Sequence, residues 1–377
     1  MVREFYFDKG IFISFLSLFI IGITFIFSAS STSEINHGSF SLLQKYLVIS
    51  FIGFIVMFIS YNIPISFWKK VAYPSIIFAV ILLITVLILP PLKLKSGAEI
   101  HRWINFGLFK FQPSEFAKFA VVLFLARFIE LKGDKYLQQF KAILTVGFVI
   151  GIIMVLIIIE PHNSGALFIA LLTMLIILSS NFSLKHLSIL GSIFAPIVII
   201  GIFLNSYALN RFLSVIDPIK YKSSQTYQPF EAILAFVKGG FFGEGFGEGT
   251  QKFYYLPKIH TDYIYALIGE ETGFIGATVV LGLFLYILIK GISISLKKED
   301  RFTQALGIGI TYIISLQAFL HILINLSLFP STGYTLPFIS YGGSSLIMNM
   351  AYIGILLRIS KERNKSKLSG GLKYRKR

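Results

Sequence analysis

The chain has 377 residues, 55% hydrophobic and 14% charged, with a formal net charge of +16. Soluble domains carry about 25% charged residues, so this composition excludes a soluble globular protein and describes an integral membrane protein. There is no cysteine, and the six histidines lack paired spacing, which excludes a disulfide framework, thiol chemistry and a structural zinc site.

Arg3 and Lys9 precede an apolar run from Ile11 to Phe27, and Ser28-Ala29-Ser30 resembles a small-residue cleavage site. The run is long for a signal peptide and many apolar segments follow, so an uncleaved first helix is the better reading. A helical span needs about 20 apolar residues. Ten segments qualify: 11–30, 45–62, 71–90, 113–130, 142–160, 164–181, 186–206, 263–290, 304–328 and 341–359. The fourth is marginal because it contains Glu115, Lys118 and Arg127. The expected fold is all-α: a polytopic membrane protein of ten transmembrane helices with a large outer loop between helices 7 and 8. It forms a single domain over 1–377, with tails at 1–10 and 361–377 and the large loop at 207–262. The outer string 330–340 is irregular and is expected to dip toward the bundle, where protein rather than lipid satisfies its backbone. No internal repeat is visible, which weakens a transporter built from inverted halves.

Lysine and arginine in short loops set orientation. Lys69-Lys70, Lys132, Lys135, Lys141, Lys185, Lys297-Lys298, Arg301 and the basic tail fall on one side, so both termini are expected in the cytoplasm. Two outer loops are basic against this rule. Segment 91–112 carries Lys93, Lys95, Arg102 and Lys110; segment 207–262 carries Arg211, Lys220, Lys222, Lys238, Lys252 and Lys258. Either this is chance and ordinary loop solvation, or an anionic ligand at the outer face, such as a lipid phosphate or pyrophosphate, keeps the cations there.

Five strings carry the chemistry. In Arg102-Trp103-Ile104-Asn105-Phe106-Gly107 and Gln112-Pro113-Ser114-Glu115-Phe116-Ala117-Lys118, Pro113 suits a first helical turn. Glu115 and Lys118 share a helix face, as a structural ion pair or as a working pair turned to the bundle interior. Glu160-Pro161-His162-Asn163-Ser164-Gly165 reads mainly as a tight turn, with Glu160 or His162 able to handle protons. In the long loop, 229–237 has one apolar side suited to the membrane interface. Gly239 to Gly249 reads as flexible and lacks the Gly-Lys-Ser/Thr of a phosphate loop. Tyr255-Leu256-Pro257-Lys258-Ile259-His260-Thr261-Asp262 closes the loop at the mouth of a span. There Thr261 or Asp262 is either a helix N-cap or Asp262 is a working acid/base. Glu270 and Glu271 lie ~12 Å deeper along the same helix, so the three carboxylates suggest a polar cavity. The last string, Pro330 to Ser345, contains Ser340-Tyr341-Gly342-Gly343-Ser344-Ser345 and leads into the final span.

Together these strings resemble the SEDS family (shape, elongation, division and sporulation; FtsW, RodA and SpoVE) from about residue 9 to 360. Phe27-Ser28-Ala29-Ser30-Ser31, Ile268-Gly269-Glu270-Glu271 and Thr335-Leu336-Pro337-Phe338 are closer to the FtsW and SpoVE type than to RodA. The resemblance implies a ten-helix bundle and peptidoglycan glycosyltransfer from lipid II, with Asp262 in the position of the essential loop aspartate. It also turns Glu115 and Lys118 toward the same cavity. The chain departs from the family pattern at Lys258, Pro161-His162-Asn163-Ser164-Gly165, His321, Ser331-Thr332-Gly333 and Val237-Lys238-Gly239-Gly240.

On this reading Asp262 is the general base on the acceptor sugar, and undecaprenyl pyrophosphate leaves. Arg102, Arg211 and Lys252 are candidates for the leaving charge, while Lys118 pairs Glu115. His260, Thr261, Ser340 and Tyr341 complete the candidate substrate contacts. No cofactor is required with certainty; a divalent cation, magnesium or manganese, is compatible with the pyrophosphate. The resemblance implies a class B penicillin-binding protein and other division or elongation membrane proteins as partners, and no nucleic acid. The competing readings are a flippase for the same lipid-linked precursor and a noncatalytic division scaffold.

Overall fold

The computed structural model describes residues 7–30, 41–90, 92–93, 99–100, 102–105, 110–160, 162–203, 206–217, 219–220, 227–254, 256 and 258–374. The readings of Arg3, Ser31, Lys95, Phe106, Gly107, Pro161, Pro218, Lys222, Tyr255 and Pro257 lie outside these residues. So do those of the Lys93 side chain and the side chains of the basic tail from residue 362.

The chain is nearly all helical. In order come α1 (Lys9–Ser30), α2 (Ser41–Asn62), α3 (Ile65–Ile88), α4 (Pro113–Leu137), α5 (Phe140–Ile159), α6 (Asn163–Leu178) and α7 (Leu184–Phe203). Three short helices of the outer loop follow: α8 (Ser206–Ile216), α9 (Gln228–Gly239) and α10 (Gln251–Tyr254). The chain ends with α11 (Ile264–Leu296), α12 (Arg301–Asn325) and α13 (Gly343–Tyr374). Between α3 and α4, two antiparallel pairs of two-residue strands join Leu92–Lys93 to Glu99–Ile100 and Ile104–Asn105 to Lys110–Phe111.

Every expected span overlaps a helix, but among the described residues seven are long and apolar enough to cross a membrane: α1, α2, α3, α5, α11, α12 and the first part of α13. The chain is a multi-pass membrane protein. α6 and α7 offer only shorter apolar stretches. α4 carries too many charges, and its environment explains how it tolerates them. Nearly every side chain from Pro113 to Ile129 is buried, so α4 is enclosed by protein rather than lipid. It packs between α3 and α12, while α2 packs on α13 and α11 on α12 and α9. Pro113 opens α4 at its first turn, as its fixed φ predicts. The string after α12 does fold inward: Leu336 to Ser340 are buried. Its backbone is satisfied by protein, with Tyr46 Oη donating to Phe338 O at 2.6 Å and Leu336 N donating to Ser340 Oγ at 2.8 Å.

α11 is interrupted at Gly273, which adopts φ 65° and ψ −163°. A Cβ there would stand 2.4 Å from Gly243 N and 2.5 Å from Phe241 O. Alanine meets both a backbone region open essentially to glycine and a steric clash. Gly273→Ala should therefore cost about 1–3 kcal/mol, read as a lower melting temperature in detergent. An unchanged melt would show that the interruption is not a constrained feature.

Candidate active site at the mouth of α11

Asp262 is the last residue but one before α11, half-buried, in a tight turn where its N–H donates to Lys258 O at 2.9 Å. Two elements distant in sequence build its surroundings. From the α12–α13 connection, Ser340 Oγ donates to Thr261 O at 2.8 Å and Tyr341 N to His260 O at 2.9 Å. Gly333 in the same connection faces the carboxylate, since a Cβ there would lie 3.7 Å from Asp262 Oδ2. His260, Thr261, Ser340 and Tyr341 thus meet at Asp262, as the motifs suggest. They do so largely through backbone atoms, so their first role is to join two loops.

The second element is a polar stripe on α12. Gln317, His321 and Asn325 are spaced four residues apart and fully or almost fully buried, so they occupy one helix face. Gln317 Nε2 donates to Thr335 O at 2.9 Å and His321 Nδ1 lies 2.7 Å from Tyr334 O. Asn325 Nδ2 donates to Asp262 O at 3.1 Å, and Asn325 Oδ1 accepts from Ala266 N at 2.9 Å. This revises the cap reading: the residue before α11 is Tyr263, without a side-chain cap bond, and Asn325 supplies the acceptor instead. The Asp262 carboxylate is therefore not committed to capping. Only His321 of this stripe figured in the motifs. The signal for the other two was present, because amides repeated at helical spacing in an apolar span are costly without partners. Asn325→Ala should cost about 0.5–2 kcal/mol as a lost cap. It should also lower the rate of any reaction that needs Asp262. A fully active variant would remove Asn325 from the site.

Glu115 and Lys118 form the expected pair at 2.6 Å, both almost completely buried. Lys118 Nζ also donates to Gln317 Oε1 at 3.2 Å and sits 4.7 Å from the Phe168 ring centre. Through Gln317 the pair joins Thr335 and Ser345, and so the connection that lies on Asp262. The structural role and the site are here the same network.

The electrostatics support a basic environment. Burial raises the Asp262 carboxyl above its ordinary range, opposed by the charge of Lys258, a hydrogen bond from Thr261 and the charge of Arg211. Arg102 is held below the usual guanidinium range by burial and by the like charge of Arg211, with Glu160 opposing. Arg102, Arg211, Glu160 and Asp262 thus share one neighbourhood, and Arg102 Nε donates to Glu160 O at 3.2 Å. Burial and the charges of Arg102 and Lys118 push His162 down to about 3, and burial together with Lys258 lowers His260. Both imidazoles are neutral at pH 7. Among the described residues no three His, Asp or Glu side chains converge as a metal site.

Three expectations require correction. Lys252 is fully buried in an ion pair with Glu271 at 2.8 Å, so its charge is already matched. Glu270 and Glu271 do not extend a cavity from Asp262. They face the outer loop, where Glu270 accepts from Thr250 N and Gln251 N. Both lie ~12 Å deeper along α11 than its mouth, at the level where the outer loop packs against the helix. The Gly-rich stretch 239–249 is correspondingly pinned against α11 rather than loose.

Residues 9–365 match the family described as cell cycle protein, FtsW/RodA/SpoVE. A probable peptidoglycan glycosyltransferase FtsW of Geobacter sp. strain M18 is 32% identical over 341 residues, 90% of this chain and 92% of that one. The protein of the same name from Coxiella burnetii is 32% identical over 94% of this chain and 96% of its own. Among solved structures, a chain of a peptidoglycan synthase complex that coordinates polymerization and crosslinking superposes with a TM-score of 0.77 at 24% identity, covering 95% of this chain and 98% of that chain. Thermus thermophilus RodA superposes at 0.69 with 22% identity, covering 95% and 97%. The structural likenesses speak for the fold and the sequence likenesses for kinship. The chain belongs to the FtsW/RodA/SpoVE family of cell cycle proteins, and within it to the FtsW type.

Proposed function

We propose that this protein is a peptidoglycan glycosyltransferase that polymerises lipid II at the outer face of the cytoplasmic membrane. The observation that carries this reading is Asp262: a half-buried carboxylate with a raised proton affinity, uncommitted to capping, held between two loops beside Arg211. Asp262 takes the proton from the acceptor sugar hydroxyl. The freed oxygen attacks the anomeric carbon of the donor, the bond to the pyrophosphate breaks, and undecaprenyl pyrophosphate leaves. Arg102 and Arg211 stabilise the leaving charge. A magnesium or manganese ion would enter with the pyrophosphate. Glu115 and Lys118 hold the connection that covers the base, and His260, Thr261, Ser340 and Tyr341 shape the rim that meets the sugars.

The same reading takes α1–α7 and α11–α13 as ten spans of one domain over 1–377. Segment 207–262 is then extracytoplasmic, and both tails, 1–10 and 361–377, are cytoplasmic. It further assigns a class B penicillin-binding protein as the partner that crosslinks the strands. The kinship to proteins named as glycosyltransferases and the polar network ending at Asp262 support these assignments. The test is purified protein with lipid II, with and without that partner. Polymer is the expected product. Translocation of lipid II without polymer would favour a flippase, and absence of both a scaffold.

A further inference from the structure

The break in α11 is filled by the Gly-rich stretch, and the two exchange backbone bonds. Phe274 N donates to Gly240 O at 2.9 Å and Ile275 N to Phe241 O at 3.4 Å, instead of to their own helix. In return, Glu270 O accepts from Glu244 N at 3.0 Å and Glu271 O from Gly245 N at 3.2 Å. The side chains of the same two glutamates hold the next segment. Glu270 Oε1 accepts from Thr250 N at 2.9 Å, Thr250 Oγ1 at 3.1 Å and Gln251 N at 3.1 Å. Glu271 Oε1 accepts from Lys252 Nζ at 2.8 Å and from Ser28 Oγ, at the end of α1, at 2.5 Å. Lys252 Nζ also donates to Gly247 O at 2.6 Å.

Lys252 and Glu271 are thus the two feet of a closed ring of chain, residues 252–271, with Asp262 near its crown. Within that ring Lys258 adopts φ 58°, a left-handed conformation that a residue with a side chain keeps only when its surroundings hold it. The Asp262 N–H bond ends on the carbonyl of this same Lys258. The buried pair thus closes the stretch of chain that carries this turn.

We propose that Lys252, Glu270 and Glu271 are positioning residues for Asp262: they clamp the base of its loop to the break in α11. The inference rests on the glycosyltransferase reading for the role of Asp262. A buried ion pair exchanged for apolar side chains of similar size commonly leaves stability intact, which separates positioning from stability. The experiment compares full-length wild type, Glu271→Gln, and Lys252→Met with Glu271→Met in vesicles. It measures melting temperature, amide hydrogen exchange over 258–262, and kcat and KM on lipid II.

The double variant is expected to melt near wild type, to exchange faster over 258–262, and to lose about ten- to a hundredfold in kcat with KM unchanged, as displacement of a reacting group does. Wild-type kcat in the double variant, or unchanged exchange, overturns the proposal. Glu271→Gln, which strands the Lys252 charge, is expected to lower both the melting temperature and kcat; wild-type kcat in this variant also overturns it. Wild type that yields no polymer overturns the transferase reading and the positioning role with it, and the exchange data then still report whether the clamp exists.

Discussion

Asp262→Asn should reduce polymer formation from lipid II by about 10²–10⁴-fold, the typical contribution of a positioned general base. The fold should survive. The backbone bonds of residue 262, from its N–H to Lys258 O and from Asn325 to its carbonyl, do not use the carboxylate. Asparagine also removes a charge that burial disfavours. Measured melting temperatures should therefore be equal to wild type or higher while activity is lost. An Asp262→Asn variant that polymerises at the wild-type rate would end the assignment of this base.

The pH dependence follows with a defined sign. Because burial raises the Asp262 carboxyl above 3.8, the acid limb of kcat/KM should lie at higher pH than for a solvated aspartate, and Asp262→Asn should have no such limb. Stability runs the other way. The folded state binds this proton more tightly than the unfolded state, so the contribution is full below the ordinary aspartate value and is lost as pH rises through the raised one. Acidification should thus remove activity and add stability from this one group. A wild-type acid limb at the ordinary aspartate position would contradict the burial argument.

Lys118→Met should destabilise the protein by about 3–5 kcal/mol, because it strands a buried carboxylate. Glu115 is 8% exposed and Lys118 4%, so solvent cannot replace the lost partner. The double variant Lys118→Met with Glu115→Gln should recover most of that stability. Activity should not return with it, since Lys118 also donates to Gln317, whose amide holds the Thr335 segment above Asp262. Melting curves and turnover on the two variants, against wild type, test both halves. A single variant as stable as wild type would show the pair to be solvated. A double variant with full activity would show that the network merely fills space.

Much of the site was legible in the sequence. Asp262 stood out as a charge before a span, Glu115 and Lys118 as a pair at helical spacing, and Arg102 and Arg211 as cations on the wrong side for orientation alone. Lys252 belonged to the same pattern and misled, because a lysine in a basic loop looks alike whether it awaits an anion or already has one. Its partner Glu271 is 19 residues away in sequence, and no periodicity links a loop lysine to a helix glutamate. Gln317 and Asn325 were discoverable, but their spacing says only that they share a face, not which loop they bind.

By itself the sequence determined that this is a helical membrane protein, where its apolar segments lie, and which carboxylate stands just before α11. Those properties depend on local composition and on the length a bilayer demands. The tertiary structure alone decided that α4 is enclosed by protein, that Asn325 rather than Asp262 caps α11, and that Glu271 pairs with Lys252. Each of these depends on which donors and acceptors meet once water is excluded. Burial makes an unpaired group costly, and the fold chooses its partner from whatever distant segment arrives beside it.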